Sequence, residues 1–314
     1  STLLHPTPTH PSLPPYQGGV AFAHPCKVAP AAGGESLRLI IGANNSVIVV
    51  DVAMGATVCE LENHGRLRCV AISKCGRLIC YGGFDRSVHM RSLDHGADLT
   101  HFEPAGIVKS VHLSSDAALL VVGADMDDSK GCVSLYDAIT HAVLATWEHP
   151  KQVWAVRMSP DGEFIAAAGY DARLYLYCIS TLTLMQTVGP YEQKGPPAFV
   201  WTVDWSDDSA MLAVGCWNAN VYLYGVDAQR PEPLHEVGRV TRGDRIYSVS
   251  LDQTGAHVAV GGRDKMVALY EVRAMLSCIS GCVVVSALDF VRPETTCRRP
   301  CTTPPPPPSP LPPP

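Results

Sequence analysis

"VWAVRMSPDGEFIAAAGYDARLYLYCI", Val153–Ile179, holds two apolar alternating runs, a Ser-Pro-Asp-Gly turn between them, and an Asp in a second tight turn. Alternation with period 2 marks strands that turn one face inward. A short polar acceptor, then Pro, then a closing Gly is type I turn chemistry. The stretch reads as strand, turn, strand, turn, strand. Nothing in it is arranged for chemistry, so its meaning depends on whether it recurs.

It recurs. Taking Val156 of AVRMS as a marker, the same shape returns as CVAIS from Cys69, SVHLS from Ser110, TVDWS from Thr202 and SVSLD from Ser248. The marker valines are Val70, Val111, Val156, Val203 and Val249, spaced by 41, 45, 47 and 46 residues. A fainter copy, GVAFA at Gly19, puts Val20 one period earlier. After each marker comes a turn opened by Ser or Asp, such as Ser73-Lys74-Cys75-Gly76 or Asp252-Gln253-Thr254-Gly255. A short apolar strand follows (LICYGG, LLVVGA, FIAAAG, MLAVGC, HVAVGG), then a polar turn and an alternating strand (SVHMRSL, CVSLYDA, RLYLYCI, NVYLYGV, MVALYEV). A weaker fourth strand, such as LTLMQTV, closes the unit. No stretch keeps a helical apolar period for three turns.

Each unit is therefore four short antiparallel strands, and one such sheet cannot cover both of its faces. Packing successive sheets around an axis solves this, and a period of about 40–45 residues is its signature. The expectation is an all-β propeller with six recognisable four-stranded blades, a count also compatible with a seven-blade ring short of one.

The repeats resemble those of the WD40 family. EHPKQVWAVRMSPDG from Glu148 is similar to the family's GH-to-SPDG segment, with Glu148 in place of Gly, and YDARLYLYCI from Tyr170 to its D-x-x-V-x-L-W-D segment. The resemblance covers roughly Gly19 to Arg273. The WD dipeptide itself is altered: Val50-Asp51, Tyr136-Asp137, Tyr177-Cys178, Tyr224-Gly225 and Tyr270-Glu271 stand in its place. In the family a His and a turn Asp bond within one blade. The resemblance therefore implies structural couples of His64 with Asp85 and of His149 with Asp171, and a like role for Asp264. A hydrolase reading of these couples fails, because no Ser is placed alike beside both and no nucleophile elbow occurs.

The family resemblance also implies a rigid disc that binds proteins and does not catalyse, with no cofactor and no metal. Two register positions fall at the face bearing the starts of the inner strands. One lies two residues before each marker: Arg68, Lys109, Trp154, Trp201 and Tyr247. The other precedes each turn acid or its substitute: Phe84, Tyr170, Trp217 and Arg263. Trp, Tyr and Arg are the types enriched at interface hot spots, so these nine are the candidate partner-binding set, concentrated in units four to six. The competing reading packs them between blades as core. Trp205, in a marker strand, is expected in the core, and Trp147 near the outer edge.

Other function classes find less support. A propeller-fold hydrolase or lyase needs carboxylates or metal ligands converging on the channel, where the registers read Val, Ala, Ser and aromatic. A phosphoinositide or nucleic-acid reader needs a basic stripe. Arg68 and Lys109 are adjacent in register, but a net charge of -6 opposes a large positive field. No small-molecule substrate or membrane contact is expected.

The remainder is punctuation. Residues 1–18 read as a Pro-rich lead-in, 19–273 as the propeller, 274–292 as an apolar segment able to supply a last strand over Cys282–Leu288, and 293–314 as a Pro-rich tail of polyproline II composition. At about 15 residues the apolar segment is short of the roughly 20 that a spanning helix needs. The first residues carry no basic n-region or apolar h-region, and most of the 12 cysteines sit in apolar runs. The expectation is a reduced cytoplasmic protein, with nuclear residence also compatible. A chain that begins with Ser and has Pro-rich ends reads as a fragment or part of a larger polypeptide. Cys278, Cys282, Cys297 and Cys301 form two C-x-x-x-C pairs, whose spacing is a poor match to zinc ribbons. Asn44-Asn45-Ser46 fits a glycosylation sequon but lies in a turn without secretory context.

Overall fold

A computed structural model describes residues 20–22, 38–43, 45–51, 54–62, 65–93, 98–104, 106–126, 129–191, 198–274 and 283–288. Among these residues all regular structure is β, arranged as six sheets of four antiparallel strands in sequence order. The first blade is β1 (Val20–Phe22), β2 (Arg38–Ala43), β3 (Ser46–Asp51) and β4 (Ala56–Glu62). The second is β5 (Leu67–Ile72), β6 (Leu78–Gly83), β7 (Val88–Ser92) and β8 (Asp98–Phe102). The third is β9 (Val108–Leu113), β10 (Leu119–Asp125), β11 (Gly131–Asp137) and β12 (Val143–His149). The fourth is β13 (Val153–Met158), β14 (Phe164–Gly169), β15 (Leu174–Cys178) and β16 (Thr183–Val188). The fifth is β17 (Val200–Trp205), β18 (Met211–Cys216), β19 (Asn220–Val226) and β20 (Leu234–Thr241). The sixth is β21 (Ile246–Leu251), β22 (His257–Gly262), β23 (Val267–Ala274) and β24 (Val283–Leu288).

The turns form for the reasons their residues supply. The hydroxyls of Ser73, Ser114, Ser159 and Ser206 each accept the backbone N–H five residues on, at 2.9–3.0 Å. Three of them also donate to the Asp two residues later: Asp116, Asp161 and Asp208. The fourth turn residue is left-handed in every case, with φ of 70° at Gly76, 61° at Ala117, 77° at Gly162, 61° at Ser209 and 69° at Gly255. Gly takes this conformation without a Cβ penalty, whereas Ala117 and Ser209 hold it under strain.

The marker valines lie on inner strands, and Val70, Val111, Val156, Val203 and Val249 are all buried. Inner strands pack in sequence, β1 on β5, β5 on β9, β9 on β13, β13 on β17 and β17 on β21. Between blades four and five, Leu174, Leu176, Val200, Val203, Leu212 and Trp205 share one core, as expected for Trp205. Burying each such Val or Leu is worth about 1.5–3 kcal/mol, so the cohesion of the ring lies between sheets as much as within them. Trp147 sits half-buried on the outer strand β12, stacked on Tyr177. The apolar segment after Arg273 contributes β24, paired with β23 from Leu269↔Leu288 to Ala274↔Val283.

Candidate functional site

Three register positions of each blade converge where the inner strands begin. Glycines at the ends of β6, β14 and β22 make this possible. A Cβ on Gly83, Gly169 or Gly262 would strike the carbonyl oxygen of Arg66, Gln152 or Arg245 at 2.2, 2.0 or 2.6 Å. The backbones therefore cross closely, and Phe84, Tyr170, Trp217 and Arg263 bond back to Arg66, Gln152, Phe199 and Arg245 through N–H···O contacts of 2.8–3.0 Å. One side chain of each pair, Phe84, Gln152, Trp217 or Arg245, lines the mouth of the central channel.

The mouth is a funnel of about 870 Å³ lined by blades two to six. Seven of the nine candidate residues line it: Arg68, Phe84, Lys109, Trp154, Trp201, Trp217 and Tyr247. Tyr170 stands beside it, stacked on Phe199 at 4.0 Å and edge-on to Trp154 at 5.5 Å. Arg263 does not join the group. It is exposed on the rim with its guanidinium 4.0 Å from Asp244. Two residues that the two registers overlooked belong to the cluster. Phe199 touches Trp154, Tyr170 and Trp217, and Arg245 lies over the Trp217 ring at 4.2 Å. Both stand four residues before a marker valine, as do Arg66 and Gln152, so the signal was a third register position.

The rings form one continuous group. Trp154 meets Trp201 at 4.9 Å and Trp217 at 6.2 Å, Trp201 lies parallel to Trp217 at 5.5 Å, and Tyr247 meets Trp201 at 5.7 Å. The tryptophans and Tyr247 are half-buried, while Phe84 and Tyr170 are 41% and 43% exposed. The cluster is thus neither wholly core nor a loose surface; it is a supported wall with open edges. It occupies one side of the mouth, on blades four to six.

Cations face it. The Arg68 guanidinium, from blade two, reaches across the channel to Trp201 at 5.4 Å. Burial lowers its pKa, but arginine starts so far above neutrality that it stays charged. Lys109 lies 5.7 Å from the Phe84 ring centroid and bonds Asp125 at 2.9 Å, both nearly buried. Arginines held over indole faces keep a positive charge in a partly dry site, where a carboxylate gains most from pairing with it.

The expected His–Asp couples take another form. His149 Nε2 lies 2.9 Å from the Tyr177 hydroxyl and not on Asp171, whose carboxylate instead accepts from Tyr175 at 2.5 Å. The two tyrosines, two apart on β15, reach between the partners and divide the bond. Burial lowers the His149 pKa to about 4. Asp85 pairs with His89 at 2.9 Å, and Asp264 with Arg242. Asp85, Asp171 and Asp264 do hold their turns, each accepting the backbone N–H two residues on, from Ser87, Arg173 and Met266. His64 lies outside the described residues, as do Cys278, Cys282, Cys297 and Cys301. Among the described residues no three His, Cys, Asp or Glu side chains gather as a metal site requires.

The family model described as "WD domain, G-beta repeat" matches residues 55–92, 142–178 and 189–225. The chain carries WD40 repeats at these three positions, and its fold is a β-propeller. The first two matches begin on the outer strand of one blade or just before it, and all three end in the third strand of a blade. Among solved structures, a chain of the "Crystal Structure of Mitotic Checkpoint Complex" superposes with a TM-score of 0.64 at 16% identity, covering 76% of this chain and 74% of that one. The β-propeller domain of Cps50 (Swd1) from Myceliophteria thermophila gives 0.62 at 15% identity, covering 74% and 79%. At such identity the likeness is one of fold. No curated protein matches the chain in sequence. WD40 propellers commonly serve as scaffolds for protein interaction, and the family is generally non-enzymatic.

Proposed function

We propose that this WD40 propeller is a non-catalytic scaffold that binds a partner protein through the funnel at the mouth of its channel. One observation carries the reading: tryptophans from two neighbouring blades and arginines from two others are gathered at one opening, on a fold whose strands hold them rigidly. Aromatic anchors beside desolvated cations suit a peptide that presents an acidic residue next to an apolar one. One structural neighbour is a chain of the Mitotic Checkpoint Complex, in keeping with such a role. The buried thiols of Cys69, Cys80, Cys132 and Cys216 are free, which supports a reducing compartment, the cytoplasm or the nucleus.

The test is affinity capture with the full chain as bait, beside Arg245→Glu, Phe84→Ala/Tyr170→Ala and Trp154→Ala/Trp201→Ala/Trp217→Ala variants, each with a melting curve. The first two alter exposed or half-exposed side chains and keep the fold. The reading expects them to lose partners that the parent retains. Folded variants that capture the same proteins as the parent would overturn it.

A further inference from the structure

The funnel has a charge that the chain as a whole does not share. The protein carries a net charge of -6, yet the residues lining the funnel include Arg68, Lys109, Arg157 and Arg245 and, among the described residues, no Asp or Glu. Lys109 is neutralised by Asp125 at 2.9 Å. Arg157 is near enough to Asp204 to oppose the upward shift that burial gives that carboxyl. Among the described residues no acceptor bonds the guanidinium of Arg68, Arg157 or Arg245. A buried or half-buried charge without a partner is costly, so three open guanidiniums at one opening point to a ligand that supplies the oxygens.

A repeated irregularity of the backbone brings these groups together. In blades two to six the pairing of the first strand with the second skips one residue: Arg68, Lys109, Trp154, Trp201 or Tyr247. The extra residue of such a bulge is left unpaired and the strand bends there. It lines the funnel together with the residue after it, Cys69, Ser110, Ala155, Thr202 or Ser248, which regular alternation would turn away. The wall is layered as a result. Rings and the guanidiniums of Arg68 and Arg245 stand at the mouth, and Thr202 and Ser248 come next. Arg157 is three residues beyond Trp154 on β13, about 10 Å further along the strand.

The layers select the shape of the ligand. A guanidinium laid on an indole keeps the N–H fork at its edge open, and Arg68 and Arg245 are so placed, over Trp201 and Trp217 at 5.4 and 4.2 Å. One carboxylate satisfies one such fork. A phosphate monoester offers three oxygens and a charge of about -1.5 to -2 at neutral pH. A phosphoserine whose backbone rests at the mouth would hold its phosphate among the rings, short of Arg157. A phosphotyrosine sets its ring among the indoles and its phosphate one ring-length deeper, toward Thr202, Ser248 and Arg157. A nucleotide also joins a ring to a phosphate, but the edge of a base needs acceptors as well as donors, and no carboxylate lines the funnel.

We infer that the funnel receives a phosphorylated tyrosine side chain of the partner protein, its ring held by Trp154, Trp201 and Tyr247 and its phosphate by Arg68, Arg157 and Arg245. This rests on the funnel being the partner site, and it replaces an acidic residue beside an apolar one by a single residue that is both.

The test uses the full chain and fluorescein-labelled degenerate peptides centred on phosphotyrosine, tyrosine, phosphoserine or a Glu-Phe pair, read by fluorescence anisotropy. The phosphotyrosine peptides should bind about tenfold or more tighter than each of the others. Phenyl phosphate should compete with them about tenfold better than inorganic phosphate or adenosine monophosphate. Arg68→Gln and Arg245→Gln, scored separately and each with a melting curve, should weaken binding about tenfold, while Arg263→Gln, whose side chain lies outside the funnel, leaves it unchanged. Glu-Phe or phosphoserine peptides that bind as tightly as phosphotyrosine ones, and are weakened by Arg245→Gln, overturn the phosphotyrosine assignment and keep the funnel as the partner site. Phosphotyrosine binding that neither arginine replacement weakens puts the site elsewhere and overturns both. Adenosine monophosphate competing better than phenyl phosphate would make the ligand a nucleotide and overturns the assignment, as does a lack of phosphotyrosine binding by the folded chain.

Discussion

Acidification should destabilise this propeller through its buried histidines, and His149 gives the measurable case. The ring ends β12, bonded to the Tyr177 hydroxyl and set edge-on to Tyr175 with centroids 4.5 Å apart. Protonation would place a charge between two phenol rings in a largely dry site, and burial accordingly lowers the pKa from 6.5 to about 4. Between those values the unfolded chain binds the proton and the folded chain does not. The contribution is therefore complete above about pH 6.5 and is lost as pH falls toward 4. At about 1.4 kcal/mol per pH unit the full loss is about 3 kcal/mol, of which about 2 is reached by pH ~5. His112 works in the same direction, since burial and the nearby Arg157 hold it well below its usual range. Asp204 works in the opposite direction, because burial raises its carboxyl, so the stability it lends at low pH is lost as pH rises. Comparing the parent with His149→Phe cancels both. Urea unfolding at about pH 7.5 and about pH 5 should show the parent losing about 2 kcal/mol more than the variant. Equal losses in the two proteins would refute the reasoning.

Further outcomes follow from the same contacts. Leu176→Ala, in the core between blades four and five, should cost about 3 kcal/mol in denaturant unfolding. Gly215→Ala should destabilise by about 1–3 kcal/mol because its Cβ meets Ile246 and Val249, while Gly261→Ala should be nearly neutral in the same assay. Asp85→Ala removes an acceptor for the Ser87 N–H and the partner of His89, and should lower stability by about 1 kcal/mol in thermal unfolding.

The propeller was legible because its period rests on local chemistry. The marker valines, the Ser-opened turns and the alternating third strand are each written in a few adjacent residues, and all fall where the repeat predicts. The mouth of the channel was partly legible for the same reason. Trp154, Trp201 and Tyr247 share a register, and so do Phe84, Tyr170 and Trp217. Phe199 and Arg245 escaped because they precede the inner strands, where no alternation marks them, and only the close crossing at the strand ends brings them in. The His149–Asp171 couple was misread because the reach of Tyr175 and Tyr177, side chains of the neighbouring blade, is not visible in spacing.

The most direct test of the binding account labels the chain with fluorotryptophan. Its five tryptophans give five fluorine signals, assigned by single replacements and recorded with and without a partner recovered by capture. The account predicts that Trp154, Trp201 and Trp217 shift together while Trp147 and Trp205 stay in place. A partner that moves Trp147 and leaves the three channel tryptophans unchanged would put the binding site on the outer edge and contradict it.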